Sequence, residues 1–320
     1  MAAAEVVALI VVVTLCCVGI ARLASPPRLP LSAAARCRCG GPGSTGDWTM
    51  LAFRAAVAVY AFAILVNTFT VGVCFFTNWT WALLVLYFAA ASAASGLHLR
   101  YEPRGEAQEE SEGQKAGKTT EPPSPSWHAA YARLLQVLMS TLAASAVMVA
   151  VVFWLLLLPS DDSPHHEWLL NFDSYNMHAM SVVFVVAELA FNSTPMRAQD
   201  AALAVLFPAA FAAFTVLRVA VTRSMRPCLT EPDPAVCEFG ARTDGPVIWP
   251  YFFMDTVQPL AVLWYFASGC MFLLAYFVVF GVRTFLLWCA ASSMNYMSAP
   301  DNCEEASECS ETETSESLGA

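Results

Sequence analysis

Long apolar runs separated by shorter polar stretches set the pattern of this chain. Seven runs come near the ~20 residues a helix needs to cross a hydrocarbon layer. They are about Val6–Ala21, Leu51–Phe75, Trp81–Leu99, Leu134–Leu158, His178–Phe191, Ala201–Thr222 and Leu260–Trp288. The run at His178 reaches spanning length only if its helix begins near Asn171, and the last run is long enough to tilt or to continue beyond a membrane. No internal repeat is visible. The pattern predicts an all-α, multi-pass transmembrane helical bundle of six core helices plus an N-terminal extra helix.

The polar stretches divide the chain. Residues 1–25 read as a transmembrane helix or signal-anchor, 26–50 as a Pro-, Arg- and Gly-rich linker, and 51–290 as the membrane domain with a charged loop at 101–126. Residues 291–320 form an acidic tail, too poor in apolar residues to pack, so disorder is its default. Solubility alone accounts for such a tail. Phosphorylation or adaptor binding is the sharper alternative, because Ser310 precedes Glu311 and Glu313. The first apolar run follows Glu5 and precedes Arg22, Arg28, Arg36 and Arg38, whereas a cleaved secretory signal carries its positive charge in front. A retained helix with a non-cytoplasmic N-terminus is expected.

Composition agrees with a lipid solvent: 58% of residues are apolar and 13% charged, against about 25% charged in soluble domains. The net charge of −10 lies mostly in Glu106–Glu121 and Asp301–Glu316, and nothing resembles a basic nucleic-acid footprint. The eleven cysteines show no metal-finger spacing; most lie in apolar runs, where Cys behaves as a small hydrophobe. Counting Lys and Arg in alternate loops gives four, five and one on one side, and none, none and three on the other. Ten against three is a positive-inside bias. It predicts a cytosolic linker, charged loop and C-terminus, in an endomembrane or plasma membrane. Cys228 and Cys237 would then share an oxidising side, where a disulfide is plausible.

No Gly-x-Ser-x-Gly elbow, phosphate loop, dinucleotide fingerprint or His-Glu-x-x-His helix occurs. Glu188 is the main ionisable group read within the spans, with Asn67 as a polar companion and Arg218 near an end; too few such groups are present to build an ion pathway. Polar residues gather instead at one membrane face. These are the turn Phe75-Phe76-Thr77-Asn78-Trp79-Thr80, the approach Asn171 to His178, and the stretch Trp249 to Pro259. By the charge count all three lie on the non-cytoplasmic side, where a hydroxyl, an imidazole and a carboxylate can converge beside lipid.

These residues resemble the androgen-induced and androgen-dependent TFPI-regulating (ADTRP-like) membrane proteins, with rolling-stone-like proteins as further relatives. Phe75-Phe76-Thr77 resembles the family's Phe-Leu-Thr entry, Val152-Phe153-Trp154 its Val-Phe-Trp, and Asn176-Met177-His178 its Met-His site. Glu188 lies ten residues beyond the histidine, as a glutamate does there, and Tyr251–Pro259 with Asp255 is similar to its Tyr-Pro-Phe-Leu-Glu stretch. The resemblance covers roughly Leu51–Trp288. It implies a membrane-embedded hydrolase of fatty acid esters of hydroxy fatty acids, with Thr77 as nucleophile and His178 as base. It implies membrane lipids and an acyl-lipid substrate as partners, with no cofactor and no nucleic acid. A threonine hydroxyl becomes a competent nucleophile when a neighbouring imidazole accepts its proton. Thr77-Asn78-Trp79 looks more like the rolling-stone-type turn, so the competing reading is a non-catalytic protein of adhesion, fusion or signalling.

Plainer roles stand beside these. Thr77 or Thr80 suits a helix N-cap, and His178 suits a membrane interface. Glu188, about 15 Å along its helix from His178, suits an interhelical hydrogen bond better than orienting the imidazole; Asp173 or Asp255 would have to do that. His165-His166-Glu167 with Asp173 offers metal-binding residue types, but adjacent ligands without a motif are usually loop, and no metal is expected. The sequons at Asn78 and Asn192 are expected to stay unmodified, the first abutting the membrane and the second cytosolic and followed by Pro195.

Overall fold

A computed structural model describes residues 2–23, 34–35, 44–72, 75–101, 126–158, 172–225, 241–242, 245–246 and 260–297. The helices are α1 (Ala2–Leu23), α2 (Thr45–Gly72), α3 (Phe76–Tyr101), α4 (Ser126–Val151), α5 (Phe172–Phe191), α6 (Asp200–Ala204), α7 (Leu206–Met225) and α8 (Ala261–Met297). Six stretches of helix are long and apolar enough to cross a membrane. The protein is an all-α, integral multi-pass membrane protein. A two-residue antiparallel pairing, Ala241–Arg242 with Gly245–Pro246, is the only strand structure among the described residues.

Helix ends depart from the apolar runs for local reasons. Helix α2 starts at Thr45, inside the stretch read as linker. Asp47 lies in its first turn, where a carboxylate complements the helix dipole, and it is buried with Nε2 of His98 3.9 Å from its Oδ2. Helix α5 begins at Phe172, which supplies the length its apolar run lacked.

Helix α4 is the central element, touching α3, α5, α6 and α8. Its buried face is built of small residues, including Ala143, Ala144, Ser145 and Ala146, which let helix backbones approach closely in a membrane. Hydroxyls in the spans turn back on their own helices: Thr141 donates to the Val137 carbonyl and Ser145 to that of Thr141, each at 2.8 Å. Helix α1 packs on α6, α7 and α8, with Cys17 in the same core as the other helices.

The interior contains more charge than the apolar runs suggested. Arg54 on α2 and Glu188 on α5 are both fully buried and meet at 2.6 Å. The Tyr87 hydroxyl donates to Glu188 at 2.6 Å and Asn192 Nδ2 at 2.8 Å, while Arg54 also donates to Ser95 Oγ at 2.6 Å. Arg283 on α8 is buried too. It donates to the Leu189, Asn192 and Thr194 carbonyls where α5 gives way to extended chain at Asn192. The reading of the spans as nearly uncharged apart from Glu188 is therefore corrected. Arg54 and Arg283 were tolerable because each is enclosed by acceptors, the condition under which a charge survives in a bilayer.

Candidate functional site

Two wide helical turns face each other near the start of α5. The last turns of the fourth helix, Val152–Leu157, and the residues Asn176–Met180 of α5 are both π-helical. A π turn inserts an extra residue and re-aims side chains, and such turns recur at functional sites. Here they present two flat rings to one another. Phe153 and His178 stack with centroids 3.7 Å apart and planes 4° from parallel.

The surroundings fix that turn. The Asn176 amide nitrogen donates to the Phe172 carbonyl at 2.8 Å, and its oxygen accepts from the Tyr60 hydroxyl of α2. Tyr60 also meets Phe184 edge-on at 5.8 Å. Trp154 and Tyr175 sit 5.5 Å apart beside the stacked pair, amphipathic rings of the kind that gather at membrane interfaces.

Nδ1 of His178 is buried and has no hydrogen-bond partner. The imidazole borders a shallow, broadly open cleft of about 560 Å³ between the fourth and fifth helices, lined otherwise by mainly apolar residues such as Ala150, Trp154, Val183 and Ala187. Val183 and Val186 are exposed on its outer side.

Thr77 is buried in the first turn of α3. The helix begins at Phe76, so neither Thr77 nor Thr80 occupies the cap position ahead of it. Thr80 is buried with its hydroxyl unpartnered, and Phe76 anchors the turn against Phe211 at 5.2 Å. Helix α3 touches the π turn at Asn176–Met180. Tyr87 and Glu188, each ten residues beyond Thr77 and His178, are hydrogen-bonded. One span separates α3 from α5, so the two run in the same direction and carry Thr77 and His178 in the same half of the bundle. No hydrogen bond joins the pair, and Thr77 is not among the residues lining the cleft.

The remaining candidates divide. Glu188 belongs to the buried Arg54–Tyr87–Asn192 network and not to the imidazole. Asp173 precedes the π turn, and it does not bond the vacant Nδ1. Asp255, Cys228, Cys237 and His165-His166-Glu167 lie outside the described residues. Asn67 is exposed on α2, away from the interior polar groups.

Comparison with family models, curated proteins and solved structures found no match for this chain. Arg54, Tyr87 and Arg283 were not singled out by the sequence, and Asn192 only as a sequon. A lone arginine inside an otherwise charge-free run was the available signal, because such a charge demands partners on neighbouring helices.

Proposed function

We propose that this protein is a membrane-embedded lipid ester hydrolase, with Thr77 as nucleophile and His178 as base. The observation that carries the reading is His178 itself: an imidazole clamped by stacking, with an unclaimed nitrogen, on the wall of an apolar cleft. The resemblance of Phe75-Phe76-Thr77 and Asn176-Met177-His178 to the ADTRP-like motifs supplies the reaction class. In the proposed sequence Thr77 Oγ attacks the ester carbonyl as His178 accepts its proton. The C–O bond to the alcohol then breaks, and the alcohol leaves with that proton. Water attacks the acyl-threonine, releases the carboxylic acid and restores the hydroxyl. Substrate binding would have to draw Thr77 to the imidazole, as catalytic hydrogen bonds often tighten only in the complex.

A second reading, a non-catalytic protein of adhesion, fusion or signalling, is favoured by the missing Thr77–His178 hydrogen bond. A fluorophosphonate probe on membranes separates the two. Labelling of the wild type that is lost in Thr77→Ala is expected for the hydrolase. Equal labelling of both proteins, or none of either, leaves the non-catalytic reading.

A further inference from the structure

The cleft beside His178 is elongated. From His178 its lining follows α5 through Ala179, Val183 and Val186 to Ala187, with Ala150 on the facing helix. Ala187 lies nine positions beyond His178, which is at most about 13.5 Å at the α-helical rise because the first steps are π-helical. One leaflet of a bilayer is about 15 Å deep, half the hydrocarbon thickness. The lining therefore spans about the depth of one leaflet; the groove is shallow and open toward lipid, with the stacked imidazole at its polar end and Val186 and Ala187 at its far end. Alanines at 150, 179 and 187 make the room.

The geometry points to this groove as a seat for a single acyl chain, running from an ester carbonyl at His178 to a chain end at Ala187. Ala187 and Ala150, being small, leave the path open to the chain. The occupant follows from the surroundings. The outer rim, Val183 and Val186, is exposed on a membrane-spanning helix, so hydrocarbon is what reaches it. Every lining residue apart from His178 offers only apolar side-chain surface, or nearly so. The imidazole Nδ1 is the one buried side-chain atom there left without a partner. The inference rests on the hydrolase reading for its reaction, but not for its occupant.

The test uses the full-length protein in nanodiscs with p-nitrophenyl esters from butyrate to palmitate. Ala187→Trp is expected to lower the palmitate-to-butyrate ratio of kcat/KM by about tenfold or more, a discrimination expected of a filled hydrophobic pocket. Leu274→Trp, which places the same side chain on exposed α8, is expected to leave that ratio alone. A laurate carrying a terminal diazirine, whose extended chain is about as long as the groove, should crosslink wild-type protein at Val186 or Ala187 and should lose that site in Ala187→Trp. Ala187→Leu replaces the tryptophan variant if the latter does not fold. An unchanged chain-length ratio, or crosslinks that fall on other helices, overturns the groove even where hydrolysis is present. If the wild type hydrolyses no ester, the hydrolase reading fails and the crosslink alone decides the groove. Disulfide-linked dimers formed through Val183→Cys would show that a second copy covers this face, which also overturns the proposal.

Discussion

The Phe153–His178 stack decides where the imidazole points, and with it what Nδ1 can accept. An apolar ring pressed flat against a histidine offers no hydrogen bond, so orientation comes from shape alone. Phe153→Ala removes the shelf and frees the ring to turn. If the hydrolase reading holds, turnover should fall about 100-fold, as ~1 Å misplacements of reacting groups do. Protein level in the membrane should stay near normal, and Phe153→Tyr should keep most activity. Equal turnover in Phe153→Ala and wild type, measured on one ester, would show that the stack does not orient the site. Thr77→Ala and His178→Ala should each abolish hydrolysis. Because the two act as a unit, the double variant should be little worse than either single one.

Among elements, the buried ion pair ties α2 to α5 and, through Tyr87, to α3. Removing one partner strands the other charge, at a cost of about 3–5 kcal/mol. Arg54→Met and Glu188→Met should each lower the unfolding temperature in detergent sharply. The double Met variant should recover much of the loss, since no charge is then stranded; a double variant as unstable as the sum of the singles would contradict this. Arg283 makes a different kind of tie, with its guanidinium fork spread over carbonyls of the α5 end and the following segment. Lysine lacks that planar fork, so Arg283→Lys should destabilise nearly as much as Arg283→Met in the same thermal assay. The helices themselves were legible because apolar runs of spanning length have few other fates in a chain. Partners were not legible. Arg54 and Glu188 lie 134 positions apart, and nothing local in either run names the other. The π turns were hidden for a related reason: Asn176–Met180 reads as ordinary helix until Tyr60 and Phe153 close on it.

For the whole molecule, the positive-inside count predicts a cytosolic C-terminus. In sealed cytosol-out vesicles, protease should remove a tag placed after Ala320 without permeabilisation. A protected tag would invert the orientation of every loop. The face carrying Thr77 and His178 was legible as a cluster of polar turns, because turns at alternate crossings must share a side. The lack of a hydrogen bond between them was not, since it depends on how α3 and α5 pack against α4.

Arg283 has a consequence for the order in which the protein comes into being. The carbonyls it binds belong to chain synthesised about 90 residues earlier, and α8 is the last described helix to leave the ribosome. Until it arrives, the Leu189, Asn192 and Thr194 carbonyls lack those donors, and the bundle waits with its α5 exit unfinished. Nascent chains stopped before Ala261 should therefore remain with chaperones or the insertion machinery. Chains extended past Met297 should be released as folded protein, and a pulse-chase with staged truncations would show the change at α8.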